Sequence, residues 1–95
     1  MKKLIQAKEK YMLFIATIRV MRKNKVHNPE AATIHRVLVN LGFIDVVELR
    51  MGKEFVVSLE AEDEQAARET VERIGKEVLA NSQLEKHEIV SVHPG

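Results

Sequence analysis

The sequence predicts an α+β fold: an antiparallel sheet in the order β-α-β-β-α-β with two helices on one face. Apolar residues alternate at strand period in some stretches and recur at helical period in two others. A capping residue stands ahead of each helical stretch. The 95 residues, 45% hydrophobic and 31% charged, are enough for one modest core and no second domain.

The elements follow in order. Residues 1–10 are lysine-rich without a period and are expected to form a flexible extension, leaving 11–95 as a single domain. From Tyr11 to Met21, Met12, Phe14, Ala16, Ile18 and Val20 fall on one face of a strand, and Leu13, Ile15, Thr17 and Arg19 on the other. Asn28-Pro29-Glu30 then opens a helix: Asn caps, Pro suits the first helical position, and Glu matches the dipole. Ile34, Val37, Leu38 and Leu41 form its apolar stripe, and Gly42 stands where a left-handed end is needed.

Phe43 to Met51 reads as a second strand, with Val47, Leu49 and Met51 on one face. Gly52-Lys53 reads as a tight turn into a third strand, Glu54 to Ala61, with Phe55, Val57 and Leu59 inward. Asp63 is the expected cap of a second helix, whose stripe is Ala67, Val71, Ile74 and Val78. Gly75, inside that helix, implies close packing. Asn81 is expected to end it in a left-handed conformation, and Leu84 to Val92 holds the last strand. The order is ferredoxin-like, which by itself decides no function.

Composition excludes much chemistry. Cys is absent, so disulfides, thiolate metal sites and Cys nucleophiles are excluded. Gly42, Gly52, Gly75 and Gly95 are too scattered for a phosphate-binding loop. His27, His35, His87 and His93 have no metal-ligand spacing, and His35, off the apolar stripe, is expected at the surface. Ser58, Ser82 and Ser91 lack the context of a nucleophile elbow. Glu60, Glu62, Asp63 and Glu64 read as a solvated strand end and helix cap. The expectation is no catalytic residue and no metal.

The net charge of +1 conceals a split. Residues 1–25 carry eight basic residues against one acidic, and residues 26–95 carry seven against thirteen. Such a split suits partner surfaces of opposite sign. Nucleic acid is not expected, because the open sheet face offers only Tyr11 for base stacking and Phe55 faces the core. Arg22, Lys23 and Lys25 read as a solvated loop. The apolar run Tyr11 to Ile18 is shorter than the roughly 20 residues a membrane helix needs. Arg19, Arg22 and Lys23 follow it where a secretory cleavage site would need small residues. No membrane partner and a cytoplasmic location are therefore expected.

The open sheet face is the informative feature. Leu13, Ile15, Val46 and Val56 point away from the predicted helices, where polar residues would be usual. Together they predict a buried second face, and a two-fold dimer as its simplest form.

Certain residues also carry a family resemblance. The run Asn28-Pro29-Glu30-Ala31-Ala32-Thr33-Ile34, then Leu41-Gly42-Phe43, then Val47 through Arg50-Met51-Gly52-Lys53, then Leu79-Ala80-Asn81, resembles the PurS subunit family of phosphoribosylformylglycinamidine synthase. The similarity runs from about Tyr11 to Val92. It implies a small non-catalytic subunit of a purine-synthesis ligase. The enzyme converts formylglycinamide ribonucleotide (FGAR), glutamine and ATP to the formylglycinamidine ribonucleotide (FGAM). It further implies a homodimer or higher homo-oligomer that bridges a synthetase and a glutaminase subunit and supports ammonia transfer between them. ATP and Mg would be used by the complex, with no cofactor bound by this subunit. Arg50, Gly52, Lys53 and Asn81 match the family pattern and are candidates for contact with the catalytic subunits. A second reading is an ACT-like domain that senses a small molecule. Such domains place a Gly in the first strand–helix loop, which here reads Asn24-Lys25-Val26-His27-Asn28-Pro29.

Overall fold

The computed structural model describes residues 10–95, so the expected N-terminal extension lies, but for Lys10, outside the described residues. Three strands form one antiparallel sheet: β1 (Met12–Arg22), β2 (Gly52–Ala61) and β3 (Glu85–Pro94). β1 is the central strand, in the order β2-β1-β3. Phe14 lies opposite Leu59 on one side and Pro94 on the other. The register against β3 shifts between Thr17 and Ile18, leaving Val90 as the extra residue of a bulge.

The alternation in β1 does what its sequence predicts. Phe14, Ala16, Ile18 and Val20 are fully buried on one face. Helix α2 (Glu64–Ile74) covers that face with Ala67 and Val71, and Val57, Leu59, Ile74 and Ile89 close the edges. Burying a side chain such as Val71 or Ile18 contributes about 1.5–3 kcal/mol. The Asp63 cap forms as expected, its carboxylate accepting from the Ala66 amide at 2.8 Å.

After Ile74 the helix loosens into a π-helical turn, Gly75–Leu79, closed by the bond from Ala80 N–H to the Gly75 carbonyl at 3.0 Å. One extra residue per turn moves the apolar stripe along by one position. Leu79 therefore packs on the core, and the predicted Val78 is 74% exposed. Gly75 does mark close packing, against the ring of His87. Asn81 is not left-handed, since no described residue other than glycine has a positive φ. Its side chain instead accepts from the Gln83 amide at 3.0 Å, and the Leu84 and Glu85 amides bond to its carbonyl.

The region between β1 and β2 departs from the predicted layout. Helix α1 (Pro29–Asn40) starts at the expected Asn28 cap, which accepts from the Glu30 and Ala31 amides at 3.0 and 3.2 Å. It ends at Gly42, whose φ of 102° suits glycine alone. Yet α1 does not pack on the sheet face covered by α2. Residues 43–51 form no strand; they run back along α1 to Gly52, so the predicted four strands are three. Among the described residues the alternation of Val47, Leu49 and Met51 has no strand beside it to complete a ladder. Helix and returning segment form an arm, and the molecule measures 58 × 26 × 25 Å.

Gly52-Lys53 is likewise no turn. Gly52 opens β2 opposite Met21, and Lys53 lies opposite Val20. A Cβ on Gly52 would stand 2.3 Å from the Val20 carbonyl oxygen, so the strand can begin there only without a side chain.

Candidate functional site

Three surfaces bear on function: the open sheet face, the arm, and the end of the sheet where the two meet. On the open face, Leu13 and Val56 are exposed and Ile15 is half-buried. Polar residues share that face: Thr17 lies opposite Val56 and Ser91, and Ile15 opposite Ser58 and His93. Val46 is not part of it. It belongs to the returning segment of the arm, off the sheet, so the predicted four-residue patch is one of three.

The arm carries the larger apolar surface. Ile34, Val37, Leu41, Phe43, Ile44 and Val47 are all exposed, with Ile44 at 75% and Val47 at 89%. The stripe of α1 is thus an apolar face that meets no core among the described residues. The consecutive pair Phe43-Ile44 after Gly42 was the available sequence signal, absorbed into a predicted strand. Polar bonds hold the arm together. His35 Nε2 donates to the Val46 carbonyl at 2.7 Å and the Phe43 amide donates to the Leu38 carbonyl at 3.0 Å. His35 is consequently half-buried and not the surface residue its spacing suggested.

The four candidate contact residues meet at one end of the sheet. Arg50 donates from Nη2 to the Arg22 carbonyl at 2.9 Å, and Gly52 and Lys53 follow directly in β2. The turn that Asn81 organises reaches the same end, where the Lys23 amide donates to the Leu84 carbonyl at 2.9 Å. Gly52 and Asn81 have structural work that accounts for them, whereas the Lys53 side chain is exposed.

Charged groups elsewhere form surface pairs. Lys10 reaches Glu62 at 3.1 Å, which raises the pKa of its ammonium. Arg73 holds Glu77 at 3.0 Å, and that hydrogen bond keeps the Glu77 carboxyl below its ordinary value. His87 Nε2 donates to Glu72 at 2.9 Å. Among the described residues no three His, Cys, Asp or Glu side chains gather closely enough to hold a metal ion. No helix among them is long and apolar enough to cross a membrane.

A sheet covered on one face and an exposed apolar arm define a small α+β domain rich in interaction surface. The comparisons with known proteins name it further. Residues 15–93 match the family model for PurS, phosphoribosylformylglycinamidine (FGAM) synthase. The PurS subunit of Methanocaldococcus jannaschii is 38% identical over 77 residues, which cover 81% of this chain and 93% of that one. The crystal structure of the Thermotoga maritima purS subunit superposes with a TM-score of 0.76 at 33% identity, covering 90% of this chain and 94% of the other. A chain in the structure of PurLQS from the same organism superposes with a TM-score of 0.74 at 34% identity, covering 87% of this chain and 98% of its own. The chain belongs to the PurS family: it is of the kind that serves as the PurS subunit of FGAM synthase in purine biosynthesis.

Proposed function

We propose that this chain is the non-catalytic assembly subunit of its FGAM synthase. It forms a homodimer or higher homo-oligomer, bridges the synthetase and glutaminase subunits, and supports ammonia transfer between them during the ATP- and glutamine-dependent conversion of FGAR to FGAM. ATP and Mg are used by the other subunits, and the location is cytoplasmic. The family match favours this reading over an ACT-like sensor.

The observation that carries it is the arm. Exposed apolar patches on small proteins mark interaction sites, and Ile34, Val37, Leu41, Phe43, Ile44 and Val47 are left exposed on the arm. The open-face residues Leu13, Ile15 and Val56 provide a second, smaller patch. A symmetric pair of arms also supplies two equivalent ends at which Arg50 and Lys53 can meet different subunits.

Sedimentation at micromolar concentration tests the first part. The expected mass is a multiple of 10.8 kDa, falling to the monomer in Ile44→Glu/Val47→Lys with strand signal retained in circular dichroism. A wild-type monomer would refute it. Co-purification with the synthetase and glutaminase subunits, with and without glutamine and ATP, tests the bridge. Capture of neither under any condition would overturn it.

A further inference from the structure

At the root of the arm lies a cavity of about 250 Å³, between the β1–α1 loop, the first turns of α1 and residues 47–51. Three fixed cations line it: Arg22, Lys23 and Arg50. Glu48 is the one carboxylate in its wall, and Asn24, His27, Asn28 and His35 complete its polar lining. The arginines that pair with carboxylates do so elsewhere: Arg19 with Glu54 and Glu88, Arg68 with Glu64, Arg73 with Glu77. Among the described residues, no carboxylate comes within ion-pair distance of Arg22, Lys23 or Arg50.

Backbone carbonyls hold both guanidiniums in place. Arg22 Nη1 donates to the His27 carbonyl at 3.0 Å and Arg50 Nη2 to the Arg22 carbonyl at 2.9 Å. Each bond uses one of the five N–H donors of its guanidinium and leaves the rest to point elsewhere. Side chains already fixed lose less entropy when they bind a ligand. Three cations against Glu48 leave an excess of two positive charges. That balance matches a phosphate monoester, which carries about −1.5 to −2 charge at neutral pH and takes paired N–H donors from arginine.

We propose that this cavity binds a small phosphate monoester, its phosphate held by Arg22 and Arg50 with Lys23 at the rim. The α1 N-terminus takes no part, because Asn28 already caps the Glu30 and Ala31 amides. The site shares Arg50 and Val47 with the surfaces of the subunit-bridging reading, so phosphate binding is read on this chain by itself and the bridge by co-purification, and either can fail without the other.

The full chain, as it assembles in solution, is titrated with ribose 5-phosphate and followed by amide NMR shifts and calorimetry. Saturable binding is expected, with shifts centred on Asn24, Val26, Ala32 and Leu49 and competition by inorganic phosphate. Ribose should give no effect. Arg50→Gln should weaken binding about tenfold or more, the loss typical of one charge-assisted hydrogen bond. Since Arg50 also braces the loop, Lys23→Gln serves as the second variant and should weaken binding several-fold without altering the unbound spectrum. No saturable shift at millimolar ribose 5-phosphate would overturn the proposal. So would shifts centred on another surface, equal affinity in both variants, or succinate binding as tightly as ribose 5-phosphate.

Discussion

The contact between Gly75 and His87 allows a substitution whose sign can be switched. Gly75 has φ −60° and ψ −46°, helical values that alanine adopts freely. On propensity alone, Gly75→Ala would stabilise by up to about 1 kcal/mol. Sterically it cannot: the new Cβ would stand 2.6 Å from Cδ2 of His87 and 2.9 Å from Cγ. The ring is held by its bond to Glu72, and its side chain is 15% exposed, so moving it sacrifices both packing and that bond. Overpacking of this kind costs about 1–3 kcal/mol. The net expectation is a loss of about 1 kcal/mol in urea denaturation. In a His87→Ala background the obstruction is gone, and Gly75→Ala should then stabilise by up to about 1 kcal/mol. The double-mutant cycle should show a coupling of about 2 kcal/mol. An equal effect of Gly75→Ala in both backgrounds would refute the steric reasoning.

Three further outcomes follow from the geometry. Gly52→Ala should destabilise by about 2 kcal/mol or more in the same assay, because its Cβ meets the Val20 carbonyl, a backbone atom that cannot swing aside. Asp63→Ala should cost about 1 kcal/mol, the usual loss of a side-chain cap on a helix that packs on the core. Carbon-detected NMR titration should find the Glu77 carboxyl ionising below its ordinary pH and returning upward in Arg73→Gln. A lowered native pKa means the pair stabilises above the unfolded-state pKa and the contribution fades as pH falls through the native one. At this exposed position the effect on global stability is expected to be small.

The sheet and its helix were legible because their cues are local. The alternation from Met12 to Val20, the Asp63 cap and the Asn28 cap each act within a few residues. The arm was not legible for a different reason. Periodicity in Ile34, Val37, Leu38 and Leu41 shows that a face is apolar and is silent about what covers it. The same holds for Val47, Leu49 and Met51, whose alternation suits a strand only where a neighbouring strand exists. Val78 was misplaced because a π turn adds one residue that no composition rule announces. His35 was misplaced because its partner, the Val46 carbonyl, is a backbone atom without a side-chain signature. Of the candidate site, Arg50, Gly52, Lys53 and Asn81, chosen by resemblance, lie at one end of the sheet, while Val46 was assigned to a strand that does not form.

The central position of β1 has a consequence for how the chain is made. Of the three described strands, the first to leave the ribosome is the middle of the sheet, paired to β2 and β3, both synthesised later. Until Gly52–Ala61 has emerged, Phe14, Ile18 and Val20 belong to a lone apolar strand, and its second edge stays open until Glu85–Pro94 arrives. Distant pairings of this kind form slowly and leave sticky intermediates exposed meanwhile. Nascent chains should therefore engage holding chaperones throughout the synthesis of β2 and α2, and folding of the sheet should complete only when β3 slots beside a strand made long before it.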